Sequence, residues 1–168
     1  MDGQFEKAGF DRDRIFAVQG DYAYLQCAAG CHDRLYYNEG LVHEMSRQTA
    51  DCRIPSSLVP RCPVCGGQMD VNLRKDGNFV QDTRWYDSRD RYLSFMRKAC
   101  RRNTLLLELG VGYNTPAIIR FPFEELASQY ANITLARINR DHVEKQAPVR
   151  SFIPFRENMG RIISDILK

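Results

Sequence analysis

The sequence predicts an α/β fold, a parallel sheet into which a small metal-binding module is inserted. Three observations carry this. Apolar runs at Arg14–Val18, Thr104–Leu109 and Ile133–Ile138 alternate with segments of helical periodicity, and such alternation implies right-handed crossovers between parallel strands. Between the first two runs, from Tyr22 to about Asn72, periodicity is poor and the turn formers Gly30, Gly40, Pro55, Pro60 and Pro63 dominate. That same stretch holds two cysteine hooks, Cys27-Ala-Ala-Gly-Cys31 and Cys62-Pro-Val-Cys65, the second followed by Gly66-Gly67.

Four thiolates at this spacing can close a tetrahedral shell around one Zn²⁺, with sulfur at about 2.3 Å. Gly66-Gly67 lets the backbone fold back under the metal without a Cβ clash. The stretch buries too little apolar area to fold alone, so metal supplies the missing free energy. His32, next to the first hook, can replace Cys31 as a ligand; His43 and Cys52 are weaker alternatives, and each of the three also reads as a surface or loop residue. Four thiolate ligands leave no open position for water or substrate, so the site is structural.

The elements follow in order. Residues 2–9 form a short helix capped at Gly9. Arg14–Val18 is a short buried strand ending at Gln19. Glu39 to Arg47 is a helix between the hooks, and residues 69–80 make a hairpin turning at Asp76-Gly77. Asp87-Ser88 caps a helix over 89–101, with Tyr92, Phe95, Met96, Ala99 and Cys100 on one face. Its Arg97, Lys98, Arg101 and Arg102 complement the helix dipole, and Cys100 is an inert core thiol. Thr104–Leu109 is a buried strand ended by Gly110-Val111-Gly112, and Thr115-Pro116 then opens a helix. Strand, glycine turn and helix start together make a cradle for phosphate, although most such turns merely connect elements. Pro122 breaks that helix and starts another over 123–131, Ile133–Ile138 is the third strand, and Arg156 to Leu167 is the last helix. Gln19, Gly110 to Gly112 and Asn139 then stand at carboxyl ends of strands, along one crevice, where ligands of open α/β sheets gather.

The chain has 168 residues, 43% of them hydrophobic and 27% charged, which is a globular composition. The division expected is a sheet domain of residues 1–21 and 83–168 around a zinc module of residues 22–82. A net charge of +3, from 24 basic and 21 acidic residues, is too mild to argue for nucleic acid or membrane. No apolar run approaches the ~18 residues that span a bilayer. The first residues, Met-Asp-Gly-Gln-Phe-Glu-Lys, lack the shape of a signal peptide. Six cysteines in such a chain read as metal ligands before disulfides, and a cytoplasmic setting is expected.

Taken in order, these motifs resemble a sirtuin, an NAD-dependent protein deacylase or ADP-ribosyltransferase. Asp2-Gly3 with Lys7-Ala8-Gly9 resembles the end of the family's Asn-x-Asp segment and the helix after it. Val18-Gln19-Gly20 stands where sirtuins carry their catalytic His-Gly, and the four hook cysteines match the sirtuin zinc module. Leu109-Gly110-Val111-Gly112 resembles the strand and turn that touch NAD, Ile138-Asn139 the pair that holds the adenosine ribose, and Gly160 a late glycine near the adenine. The resemblance implies a partial Rossmann-like fold, with Gln19 at the catalytic position and Asp2, Gly110, Val111, Gly112, Asn139 and Gly160 on NAD. It also implies that the N-terminal half of the sheet, with its Gly-Ala-Gly-x-Ser loop, has no counterpart here. A C-terminal fragment of this kind is expected to bind NAD weakly and to be inactive alone. Its open, apolar sheet edge would be completed by that missing half or by a second chain.

Gln19 is the informative departure. An imidazole can take a proton from a ribose hydroxyl, whereas a carboxamide only donates and accepts hydrogen bonds. Deacylation by the family's route should be crippled, and ADP-ribosyl transfer needs less proton handling there. The same substitution resembles the macrodomain-linked class M sirtuins, which implies a lipoyl-carrier protein as target and reversal by a macrodomain partner. Two other functions are open: an ordinary deacylase, and a zinc-ribbon module that binds protein or nucleic acid. Against the last, Arg34, Arg47, Arg53 and Arg61 make no dense basic stripe between the hooks.

Overall fold

The computed structural model describes residues 3–167. The chain forms two compact units, the first ending at Tyr92 and the second beginning at Leu93. Helix α3 (Thr83–Ala99) is the covalent link across that boundary. The parallel sheet lies in the second unit and the cysteine hooks in the first.

The first unit opens with α1 (Gln4–Lys7) and a 3-10 turn at Arg12–Arg14. Its sheet is antiparallel, in the order β2-β1-β3, from β1 (Gly20–Cys27), β2 (Tyr36–Tyr37) and β3 (Met69–Leu73). Helix α2 (Glu39–Gln48) falls between the hooks, one residue longer than periodicity suggests. The strand expected at residues 14–18 is absent. Ile15 N–H donates to Arg12 O at 3.1 Å, Val18 N–H to Phe16 O at 2.9 Å and Gly20 N–H to Ala17 O at 2.9 Å. The segment closes its hydrogen bonds in local turns, and its apolar character serves packing instead: Phe16 meets Trp85 at 5.2 Å and Tyr92 at 5.7 Å between ring centroids. The strand begins only at Gly20.

The expected hairpin over 69–80 is also different. Asp76-Gly77 does turn, with Asn78 N–H donating to the Asp76 carboxylate at 2.9 Å. However, β3 pairs with β1, and the returning segment is tied down by buried amides. Asn72 Nδ2 donates to Gln26 Oε1 and to Val80 O, Gln26 Nε2 donates to Asn78 O, and Val80 N–H donates to Gln26 Oε1. Helix α3 starts six residues before the expected 89, because Asp82 caps it: Trp85 N–H donates to Asp82 Oδ1 at 3.0 Å.

In the second unit β4 (Thr104–Leu109), β5 (Ile133–Ile138) and β6 (Phe152–Phe155) run parallel in that order. The first two have the bounds that their apolar runs suggest. Strand β6 carries Pro154, whose missing N–H is tolerated at a sheet edge. Pro122 does not break a helix; it sits in the first turn of α4 (Arg120–Gln129), where no intrahelical donor is lost. Helix α5 (Met159–Ile166) is capped by Asn158, whose Oδ1 accepts from Gly160 and Arg161 N–H. On one sheet face the edge strand leaves Leu105, Leu107 and Leu109 exposed, at 58%, 47% and 37%.

The opposite face holds a buried charge quartet. Glu108 on β4 stands directly across from Arg137 on β5, and α4 adds Arg120 and Glu124 one turn apart. All four are at most 2% exposed. Arg137 grips the Glu108 carboxylate with two bonds, 2.6 Å and 3.0 Å, and reaches Glu124 at 2.8 Å. Burial pushes the Glu124 carboxyl up. The N–H of Gln146, the Arg137 guanidinium and the N–H of Ala147 outweigh that and hold it below the usual carboxylate range. Among the described residues no helix is long and apolar enough to cross a membrane.

Two outcomes test the quartet. Arg137→Met leaves Glu108 and Glu124 without that counter-charge and should cost about 3–5 kcal/mol in urea unfolding, whereas Arg137→Met with Glu108→Leu should cost less. The sign of the pH effect follows from Glu124: its depressed pKa contributes stability in full above about pH 4.3, the ordinary glutamate value, and that contribution is lost as pH falls through the lower folded value. Thermal unfolding of the second unit should therefore be flat from neutral pH to about pH 5 and fall steeply below about pH 4.

Candidate functional site

The four hook cysteines converge. Their Sγ atoms all lie within 4.8 Å of one another, with Cys27 to Cys65 and Cys31 to Cys62 both 3.6 Å. A tetrahedron of about 2.3 Å zinc–sulfur bonds has edges of about 3.8 Å, so the spacing and the all-sulfur donor set fit Zn²⁺. Each hook is shaped by its own backbone. Gly30 N–H donates to Cys27 O at 2.9 Å, Gly66 N–H to Cys62 O at 2.8 Å, and Cys62 N–H to Gly67 O at 2.8 Å. The same geometry aims N–H groups at sulfur. The N–H of Cys31 leads in holding the Cys27 thiol down to about 6, and the N–H of Cys65 leads in lowering Cys62. Thiolate, the form that binds metal, is favoured at the first sulfur of each hook. His32 does not displace Cys31 in the cluster. Its Nδ1 lies 3.2 Å from Cys31 Sγ while its Nε2 contacts Tyr36 OH at 2.8 Å, so it supports the ligand from outside. His43 sits on α2 beside Glu39, and Cys52 is an exposed free thiol.

Gln19 lies in the first unit, on the turn that leads into β1. Its carbonyl accepts from Arg74 N–H at 3.0 Å, and Val18 O accepts from Trp85 Nε1 at 3.3 Å. Gly20 is required next to it: its φ is 93°, and a Cβ there would meet Asn72 O at 2.0 Å. A cavity of about 260 Å³ adjoins this turn, with Phe16, Ala17, Gly20, Tyr24 and Trp85 among its walls. Several of its charged walls pair with each other, Arg84 with Asp82 at 2.8 Å, Arg12 with Asp21 at 3.4 Å and Arg91 with Asp13 at 3.5 Å. Sequence reasoning does not find this cavity, although the aromatic residues that line it are its visible signal.

In the second unit the expected residues gather at the carboxyl end of the parallel sheet. Gly110 leaves β4 with φ 67°, a left-handed turn that glycine adopts freely, and its N–H still donates to Ile138 O at 2.9 Å. Asn139 follows β5 directly. Its Nδ2 donates to Val111 O at 3.0 Å, while its Oδ1 accepts from Asp141 and His142 N–H, both at 2.9 Å. Asn139 N–H donates to Phe155 O at 3.1 Å, so the ends of all three strands are stitched together. Gly112 lies in the same turn, and Gly160 stands in the first turn of α5, beyond the end of β6. Asp2 lies outside the described residues. The residues sequence reasoning misses here are Glu108, Arg120, Glu124 and Arg137, which sit behind this edge. For Glu108 and Arg137 the signal is a charge inside an apolar run, Leu-Glu-Leu and Ala-Arg-Ile.

Known proteins can now be set beside this geometry. No protein-family model matches the chain. The chain is 33% identical over 140 residues to a protein ADP-ribosyltransferase of Staphylococcus aureus, a match covering 83% of this chain and 44% of that protein. It is 30% identical over 132 residues to a probable bifunctional ADP-ribose hydrolase/ADP-ribosyltransferase of Fusarium oxysporum f. sp. cubense, covering 74% of this chain and 22% of that one. The chain thus spans less than half the length of either relative. Among solved structures it resembles Sir2 with p53 peptide and NAD⁺, at a TM-score of 0.59 and 13% identity, and Sir2Tm bound to a propionylated peptide, at 0.57 and 15%. Each likeness takes in 98% of this chain and 58% or 59% of the other. The fold is sirtuin-like, the C-terminal portion of that architecture.

The metal assignment has a direct check. Purified protein should carry about one equivalent of zinc, and Cys65→Ser should lose it and the β2-β1-β3 sheet together, because binding and folding are coupled. Zinc content is read by mass spectrometry and the sheet by circular dichroism. Less than about half an equivalent in well-folded wild-type protein would remove the structural role.

Proposed function

We propose that this chain, whose fold is that of the sirtuin C-terminal portion, is the NAD-handling part of a protein ADP-ribosyltransferase. The observation that carries the reading is the latched strand ends of the second unit, where the Gly110 turn and Asn139 lock together through Val111 O. Carboxyl ends of parallel strands are where open α/β sheets bind nucleotides. The names of the two curated relatives support the same chemistry. In this reading Gly110, Val111, Gly112 and Asn139 hold the nucleotide, and Asp2 and Gly160 belong to the same set.

When bound, NAD supplies an ADP-ribosyl group: the bond from its anomeric carbon to nicotinamide breaks, and a bond to an acceptor side chain forms. Gln19 takes the place of the family's histidine. Its carboxamide orients a hydroxyl or the acceptor by hydrogen bonding but removes no proton, so the acceptor's proton leaves to solvent. That favours transfer over deacylation. We assign a lipoyl-carrier protein as acceptor, in a cytoplasmic setting, with removal of the mark by a macrodomain partner. The Fusarium relative's name, which joins an ADP-ribose hydrolase to the transferase, fits such reversal. The four-thiolate site holds structure in this scheme and takes no part in transfer.

Alone, the chain is expected to be inactive, so the test joins it to a sirtuin N-terminal sheet half that carries the Gly-Ala-Gly-x-Ser loop. The completed protein is incubated with labelled NAD and a lipoyl-carrier protein, beside an acetyl-lysine peptide. Label on the carrier with the peptide untouched is expected. Deacetylation of the peptide by protein retaining Gln19, with no label on the carrier, would establish the deacylase reading instead. Gln19→His should raise deacylation from nothing to a measurable rate.

A further inference from the structure

The buried guanidinium of Arg120 does more than complete a neutral quartet. It is fully buried, yet most of its bonds go to backbone carbonyls of the two loops at the sheet's carboxyl end. Nη1 donates to Val111 O and to His142 O, both at 3.1 Å, and Nη2 donates to Glu144 O at 2.5 Å. Its Cζ lies 4.2 Å from the centre of the Tyr113 ring, and Tyr113 meets the His142 ring edge-on at 5.2 Å. Its nearest carboxylate, Glu124, stands off at 4.0 Å, and Nε is buried without a hydrogen-bond partner. A residue placed for ion pairing alone would turn its fork to the carboxylate. This one turns it to Val111, His142 and Glu144.

Those carbonyls bracket the latch. Val111 O also accepts from Asn139, and Asn139 in turn receives the N–H groups of Asp141 and His142. Glu124 holds the far side of the same loop through Gln146 and Ala147 N–H, at 2.8 Å and 3.0 Å. We infer that Arg120 is a positioning residue for nucleotide binding: it fixes the 111–113 and 140–144 loops so that Asn139 meets an adenosine diphosphate ribose moiety in a preset geometry. This rests on the reading that the strand ends bind NAD. Arginine suits the task because its planar fork donates in several fixed directions at once, whereas a lysine ammonium is a point charge.

The test compares wild type with Arg120→Lys, which keeps the charge and so the neutrality of the quartet. Hydrogen exchange is read at Asp141, His142, Gln146 and Ala147 against the amides of β5, and ADP-ribose affinity is measured by calorimetry. Loss of bonds from a charged donor predicts loop amides exchanging about tenfold faster, unchanged β5 amides and a Kd for ADP-ribose about tenfold higher. Affinity within about twofold of wild type would overturn the assignment, as would β5 amides loosening in step with the loops, the sign of a merely structural role. Should the lysine variant not fold, Arg120→Gln with Glu108→Gln removes one buried charge of each sign, leaves Glu124 on the Gln146 and Ala147 amides, and is read in the same way. Wild-type protein that takes up no ADP-ribose would overturn the nucleotide reading itself and this assignment with it, a failure visible before any variant is made.

Discussion

The second unit depends on one constraint: a charge buried in a sheet must be neutralised where it stands. Taking four ionised groups out of water is costly unless geometry and further hydrogen bonds compensate. Here two arginines and two glutamates cancel, and apart from Arg120 Nε most of their leftover donors and acceptors are spent on backbone. The long connection from Asn139 to Arg150 has no ladder of its own, and the quartet supplies one. Arg120 and Arg137 take its carbonyls while Glu124 takes its N–H groups. A set of charges that looks like a stability device thereby shapes the loops that close over the strand ends. An apolar core of equal volume could stabilise the sheet, but it could not hold those loops.

The first unit solves a related problem differently. Its strand β2 has only two residues, and α2 buries none of its residues. Two devices stand in for a large core. One is the four-thiolate cluster, which ties residues 27–31 to 62–65. The other is the buried amide pair Gln26 and Asn72, which anchors the segment returning through Val80. Between them they fix the turn that carries Gln19, because Gly20 packs against the backbone of Asn72.

Much of this was legible in the sequence, for identifiable reasons. The cysteine hooks, β4 and β5 have local signals that no tertiary contact overrides, and the structure returns them at the residues expected. The strand at 14–18 failed because apolar, β-branched composition signals packing without saying whether a ladder partner exists; the half-buried Phe16 packs against Trp85 and Tyr92 instead. The start of α3 was misplaced because Asp82 and Asp87 are both good caps, and packing of Trp85 selects the earlier one. Strand β6 was hidden by Pro154. The quartet was the largest omission. Glu108 and Arg137 are visible as charges inside apolar runs, but their pairing depends on register, and the part played by Arg120 depends on where two loops lead their carbonyls.

The central claim is that the carboxyl edge of this small parallel sheet, held by buried charge, is a nucleotide site. A titration of NAD into isotopically labelled protein, followed amide by amide in nuclear magnetic resonance spectra, tests it most directly. The account predicts saturable shifts concentrated at Gly110 to Tyr113 and at Asn139 to His142, with the hook residues unmoved. Shifts absent from both loops at saturating NAD, or confined to the cysteine hooks, would contradict it.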